Sequence, residues 1–376
     1  MKNLIFVALF LTACAVAKPK YTTAPILFVG TYTQKLGHVN GQARGIYTCR
    51  LNPTTGALSI LDSTAGIINP SFVCVSPNRH YLYSVAETGG STVAREGKLV
   101  AYRIMAPQSG SAYPKLQKLN EVSSYGAAPC HIATDRMGKF VFVANYSTGN
   151  ILSYRIQADG SLSDSICMVQ HKSEKQAWAH QVFPTADNRF IIGVDKGADK
   201  IFIYRLEKTG KLSPHQEVAT RAGVGPRHFA FHPNQSFGFV VNENGNTVNT
   251  YTYDAAKGLL TPVQEISTLP KDYTAQNTTA EIAVHPSGQF VYASNRGHNS
   301  IVAYRFDGKQ LSLIGHYATE GSIPRHFTIS PDGQLLLAAN QNSSSVVSFH
   351  IDLKTGELKP TGSKTTIPTP VCLTYW

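Results

Sequence analysis

Short apolar and aromatic runs recur along this chain at a nearly constant interval. They begin at Ile26 (ILFVGTY), Tyr81 (YLYSVAE), Phe140 (FVFVANY), Phe190 (FIIGVDK), Phe237 (FGFVVNE), Phe290 (FVYASNR) and Leu335 (LLLAANQ). The intervals are 55, 59, 50, 47, 53 and 45 residues, a period that marks stacked repeats rather than independent domains. Before most runs stands another short strand that closes in a turn such as SPNRH, HPNQS, HPSGQ or SPDGQ, where Pro with Gly or Asn supplies tight-turn geometry. After each run comes a third strand, for example ILSYRIQ, IFIYRLE or SIVAYRF. A glycine turn follows, at Gly56, Gly110, Gly160, Gly210, Gly258, Gly308 and Gly356, and then a weaker fourth strand. No segment carries a sustained 3.6-residue apolar period. Seven units of four short strands predict an all-β, seven-bladed β-propeller with four-stranded antiparallel blades.

The two ends of the pattern complement each other. The chain enters the repeat at a second strand, ILFVGTY, and finishes on TPVCLTYW, which reads as a first strand with nothing behind it. Together they predict one closing blade shared between the N- and C-termini, a device that leaves no unpaired sheet edge. A single propeller domain is therefore expected over residues 22–376. Ahead of it, an early Lys, an apolar run and small residues form a secretory-type leader over residues 1–17. Cleavage after Ala17 competes with a lipobox reading that ends before Cys14 and leaves that cysteine lipidated. Either way the protein is expected to be exported to the periplasm or cell envelope, touching the membrane only through a lipid on Cys14.

The same register that puts apolar residues inside the strands gathers chemistry at one face of the disc. The first strand of a blade starts, and the second ends, at that face, so both ends meet near the central channel. The starts carry Cys130-His131, His180-Gln181, Arg227-His228, Ala280-Glu281 and Arg325-His326. The ends carry Thr31-Tyr32, Ala86-Glu87, Asn145-Tyr146, Asp195-Lys196, Asn242-Glu243, Asn295-Arg296 and Asn340-Gln341. Glu87 and Lys196 suit a site or a solvated rim equally. His232 and His285 precede Pro at the opposite end of the first strand and are expected to serve turns. Arg155, Arg205 and Arg305 on third strands are expected to be solvated or to bridge blades.

Charge and cysteine usage narrow the function classes. Lys and Arg number 34 against 23 Asp and Glu, a net +11, which favours small anionic partners through long-range steering. The basic residues are dispersed and form no run interleaved with stacking aromatics, so nucleic acid is not an expected partner. Cys49, Cys74, Cys130, Cys167 and Cys372 are scattered and show neither a disulfide framework nor metal-ligand spacing. The mouth holds carboxylates and amides, but also enough Arg and His to oppose a cation, so no metal or other cofactor is expected.

The unit GPRHFAFHP with its downstream VVNE, the segment SNRGHNSI and the segment PRHFTISPDGQ resemble the seven-bladed lactonase family. That family includes bacterial-type 6-phosphogluconolactonases and fungal 3-carboxy-cis,cis-muconate lactonising enzymes. The resemblance runs from Phe28 to Trp376. It implies an active constellation of one His, two Arg and one Glu, matching His180 in WAHQVF, Arg227 in GPRH, Glu243 in VVNE and Arg296 in SNRG. His131 is an alternative to His180, and Arg325 to Arg296.

Around these residues, His131, His228, Glu281, Arg325, His326, Asn242 and Asn295 are expected to contact substrate. The implied activity is metal-independent hydrolysis of a sugar-type or carboxylated lactone. A base activates water, cationic donors hold the oxyanion, and an acid protonates the leaving alkoxide. Glu243 or a neutral His fits the base. The same residues also suit a muconate-type ring closure, and an exported propeller suits a non-catalytic binding scaffold. Oligomeric state is open.

Overall fold

The computed structural model describes residues 24–37, 39–89, 96–107 and 113–376. The expected leader, Cys14 and the turn glycine Gly110 lie outside them. Seven four-stranded antiparallel sheets surround a common axis, with one two-stranded hairpin (Lys35–Leu36 and Val39–Asn40) inserted near the start. The expected seven-bladed propeller is therefore the fold. In each blade the first strand is innermost, and the innermost strands contact one another around a closed circuit.

The closing blade has the predicted composition. Pro370–Tyr375 is its innermost strand and pairs with Ile26–Thr31, which pairs outward with Gly45–Leu51 and then Leu58–Ala65. Val371, Cys372 and Leu373 are buried in this strand. The Trp376 N–H donates to the Ile26 carbonyl, and the indole Nε1–H donates to the Arg79 carbonyl of the next blade at 2.8 Å.

There is no single central core. Seven apolar clusters lie between consecutive blades, so each sheet is buried on both faces by its neighbours. This explains why the second strands read as continuous apolar runs rather than alternating ones. The glycine turns also serve blade packing. At Gly210 φ is +94°, and a Cβ there would stand 2.5 Å from the Phe140 ring of the preceding blade, so only glycine lets the turn lie flat on that aromatic. Third-strand arginines bridge blades as expected: Arg155 donates to the Thr209 carbonyl and Arg305 to the Lys354 carbonyl. His232 and His285 bridge them at the far face, through the carbonyls of Gly288 and Gly333.

The innermost strands share one irregularity. In six of the seven blades the pairing of first and second strands slips by a residue at the mouth end. Pro226 opposes Asn242 while His228 opposes Val241, so Arg227 is the extra residue. The same slip makes Cys130, His180, Arg325 and Val371 extra in their blades. Such a bulge breaks the strict alternation of side chains. Two consecutive residues can then face the axis.

A chain ending at Thr369 removes the innermost strand of the closing blade and three buried apolar side chains. Their burial is worth on the order of 5 kcal/mol, so the truncated chain is expected to melt far below the full chain, or to lose its cooperative transition. An unchanged melting temperature would show that the ring does not depend on this closure.

Candidate active site

The bulged residues and the ends of the second strands enclose a cavity of about 370 Å³ at the channel mouth. Its walls include Glu87, Cys130, Tyr146, His180, Glu243, Arg296, Arg325 and Gln341. Below it, toward the axis, is a gap of about 10 Å³ bordered by Phe72, Arg227, His228 and His326, too small for more than a water molecule.

Glu243 is the hub of the upper level. Its Oε1 lies 2.6 Å from Lys196 Nζ, and its Oε2 lies 3.0 Å from Arg227 Nε and 3.1 Å from Arg296 Nη2. Both guanidinium groups are fixed from the other side as well. Arg227 Nη1 donates to the Ala280 carbonyl at 2.6 Å, and Arg296 Nη2 donates to the Thr279 carbonyl at 2.9 Å. Burial pushes the Glu243 carboxyl up, but Arg296, Arg227 and Lys196 together outweigh it and hold the group down to about 2.

Glu87 faces the same cavity in a different setting. Its Oε2 accepts the Tyr32 hydroxyl at 2.9 Å and the Ser71 hydroxyl. Burial raises its pKa, against the opposing charge of Arg325. Two carboxyl groups on one cavity are thus pushed in opposite directions, an arrangement that separates proton-holding from charge-holding roles.

His180 is the one histidine on the cavity wall, and its Nδ1 is buried without a hydrogen-bond partner. Burial first, and then Arg227, keep it neutral well below the ordinary imidazole range. An aromatic shelf flanks it: Tyr146 stands edge-on to the His180 ring and stacks on Trp178, while the Lys196 ammonium lies over both rings.

His131, His228, Glu281 and His326 form a second ring behind the cavity. His228 Nδ1 lies 3.0 Å from Glu281 Oε2, and His326 Nε2 lies 3.4 Å from the same oxygen. This ring also ties blades together. The backbone N–H of Val182 donates to His131 Nδ1, that of Phe229 to Gln181 Oε1 and that of Leu373 to His326 Nδ1, each bond crossing to the preceding blade. These bonds fix His131 and His326 as Nε2–H tautomers. Burial holds all three of His131, His228 and His326 low, His326 at about 4 despite the Glu281 charge.

The geometry therefore brings together His180, Arg227, Glu243, Arg296 and Arg325. It does not bring the other expected contacts to the cavity. His131 and Glu281 line neither space, and His228 and His326 reach only the narrow gap. Asn242 and Asn295 are fully buried and point away. The Asn242 amide donates to Thr247 Oγ1, and the Asn295 amide donates to the Thr268 carbonyl. Each stands one residue before the mouth residue, so strand alternation turns it into the hairpin of its own blade. Lys196, Glu87 and Tyr146 belong to the site. Their signal in the sequence is their register, the position occupied by Glu243 and Arg296 in other blades. Among the described residues no group of three or more His, Cys, Asp or Glu could hold a metal ion.

A family profile described as lactonase, 7-bladed beta-propeller, matches residues 26–375. The chain belongs to this lactonase family. It is similar to a protein of Bacillus subtilis named 6-phosphogluconolactonase, 33% identical over 361 residues, covering 94% of this chain and 99% of the relative. A Pectobacterium carotovorum protein of the same name is 35% identical over 313 residues, covering 81% and 87%. Among solved structures, the periplasmic gluconolactonase of Pseudomonas aeruginosa superposes with a TM-score of 0.85 at 27% identity, covering 94% of this chain and 99% of that one. In this lactonase-family chain, the one-His, two-Arg, one-Glu constellation expected from the resemblance is contiguous in space.

Two outcomes test the electrostatics. Glu243→Gln leaves Lys196, Arg227 and Arg296 converging without a counter-charge, and removing one partner of such a buried set costs about 3–5 kcal/mol. Its melting temperature is expected to fall accordingly. The pH dependence has a definite sign. Groups whose folded pKa is depressed contribute stability above the unfolded value and lose it as pH falls. The wild-type melting temperature should decline between pH 6.5 and 4, because the unfolded chain protonates histidines that the folded chain keeps neutral down to about 4 at His326. A flat profile across that window would contradict the neutral buried imidazoles.

Proposed function

We propose that this protein hydrolyses a sugar-type lactone at the mouth cavity, with His180, Arg227, Glu243 and Arg296 as its central residues. The observation that carries the reading is the Glu243 hub, which holds two guanidinium groups and an ammonium at a cavity also lined by a neutral imidazole whose Nδ1 has no hydrogen-bond partner. A scaffold that binds through its outer loops has no use for buried charges arranged this way. The names of the Bacillus and Pectobacterium relatives favour hydrolysis over muconate cyclisation.

The roles follow from the charge states. A carboxylate held near 2 is a weak base at neutral pH, so Glu243 acts by aiming the guanidinium groups. His180, kept neutral, takes a proton from water as its oxygen attacks the lactone carbonyl. Arg227 and Arg296 retain N–H donors for the carbonyl oxygen as it becomes anionic. Four cationic side chains, Lys196, Arg227, Arg296 and Arg325, face the ionised Glu243 and the Glu87 carboxyl, whose pKa burial raises. This excess favours a lactone that carries a carboxylate or phosphate. It also repels divalent cations, so turnover is expected to survive EDTA.

The leader over residues 1–17 accompanies this reading as an export signal, supported by the likeness to a periplasmic gluconolactonase. The mature chain is then expected to begin at Lys18, or at a lipidated Cys14, in the intact mass of protein recovered from the cell envelope. An unprocessed Met1 on all of the protein would remove the export reading.

The activity is tested by pH-stat titration of acid released from aldonolactones with and without a 6-phosphate. Wild-type protein should exceed the spontaneous rate. His180→Gln should lose roughly 10²–10⁴-fold, and Arg227→Ala roughly 10²–10³-fold in kcat. Spontaneous rates on every member of the panel would defeat the proposal.

A further inference from the structure

Lactone hydrolysis ends with an alkoxide leaving the tetrahedral carbon, and that oxygen takes up a proton as it leaves. Glu243 is held ionised by three cations. Arg227 and Arg296 do not give up protons near neutral pH. His180 holds the proton of water from the preceding step and is a competing donor, which the Glu87 variants distinguish. A second histidine is not available, since His131, His228 and His326 sit behind the cavity and none lines it. Two other wall residues with titratable side chains, Cys130 and Tyr146, are pushed upward by burial and are weak acids.

Glu87 remains. It comes from a different blade, at the same register position as Glu243. Its backbone is clamped to Asn69, with Glu87 N–H donating to the Asn69 carbonyl and the Asn69 amide donating to the Glu87 carbonyl. Both hydroxyl contacts, from Tyr32 and Ser71, fall on Oε2. Its side chain borders the mouth cavity and the narrow gap together with His180, Cys130 and Arg325. The carboxyl is thus held from its far oxygen while it faces the space in which His180 and the Glu243 hub also stand. Burial raises its pKa.

We propose that Glu87 is the general acid of the reaction, protonating the ring oxygen as the carbon–oxygen bond of the tetrahedral adduct breaks. This rests on the lactone-hydrolase reading above. The balance is complete without a further reactant. Water adds its oxygen to the carbonyl carbon and its proton to His180. The C–O bond to the ring oxygen breaks as the Glu87 proton passes to that oxygen. The His180 proton then returns to Glu87 directly or through solvent, and the product carboxylic acid ionises, releasing the one proton that a pH-stat records.

The test exploits leaving-group dependence. An aldonolactone expels an alkoxide that needs a proton, whereas an aryl lactone such as dihydrocoumarin expels a stabilised phenoxide that does not. Glu87→Gln is nearly isosteric, and its folding is checked by its melting curve. It is expected to lose roughly 10²–10⁴-fold on aldonolactones and less than about tenfold on the aryl lactone. Glu87→Ala is expected to regain aldonolactone turnover when imidazole, whose protonated form is a small diffusible acid near neutral pH, is added.

Equal losses on both substrates in a folded Glu87→Gln protein, with no imidazole rescue of Glu87→Ala, would overturn the assignment and leave Glu87 a structural residue. So would aldonolactone turnover within threefold of wild type. If the wild type is inert on dihydrocoumarin, imidazole rescue alone decides between these outcomes. Wild-type protein inert on all lactones would instead remove the lactonase reading itself, a distinguishable failure.

Discussion

The site depends on one extra residue threaded into the mouth end of the innermost strands. In a regular strand adjacent side chains point to opposite faces, and an Arg-His or His-Gln pair could send only one member toward the axis. The slip between Pro226 and His228 lets Arg227 reach Glu243 at the mouth while His228 pairs with Glu281 behind it; both border the narrow gap. The same slip repeated around the ring turns His180 and Arg325 to the cavity. The bonds of His131, Gln181 and His326 to backbone N–H groups of the following blade show how the irregular geometry is stabilised. The residues behind the cavity therefore hold the backbone that presents the residues in front.

The cavity also solves an electrostatic problem. Arg227, Arg296 and Lys196 would repel one another if placed together without compensation, yet an oxyanion needs concentrated positive charge. Glu243 resolves this by remaining ionised at the centre. Its carboxylate is strongly bound to the cations in the ground state, and developing charge on a substrate adds to a field already assembled, with little reorganisation. Glu87, hydrogen-bonded by two hydroxyls and near Arg325 but in no ion pair of the Glu243 kind, stands in a different environment on the same wall. Carboxyl groups at equivalent positions of the repeat are pushed in opposite directions because their neighbours differ, while their backbone placement is the same.

Much of this was legible in the sequence because repetition amplifies weak signals. Each four-strand unit is unremarkable alone, but seven in register identify the strands, the turns and the closing blade. Register also located the mouth, and the match of GPRH, VVNE and SNRG to known lactonases singled out Arg227, Glu243 and Arg296. The slip in pairing was not legible, since a bulge here changes no residue type that a strand would exclude. Without it, His131, His228, Glu281 and His326 looked equivalent to His180 as contacts, although they stand a layer deeper. Asn242 and Asn295 misled for the opposite reason. Their polarity serves the hairpin of their own blade, and a one-residue offset separates that task from the neighbouring Glu243 and Arg296.

The shared blade sets the polarity of the whole molecule relative to its ends. Ile26 opens a second strand, so it lies at the face of the disc opposite the mouth, and Trp376 pairs beside it. Both ends of the described chain therefore leave from the back of the ring. A fusion partner, an affinity tag or a bilayer attached through either end has the channel floor toward it and the channel mouth turned to open solution. The fold would then act as a built-in orienting device for immobilised protein.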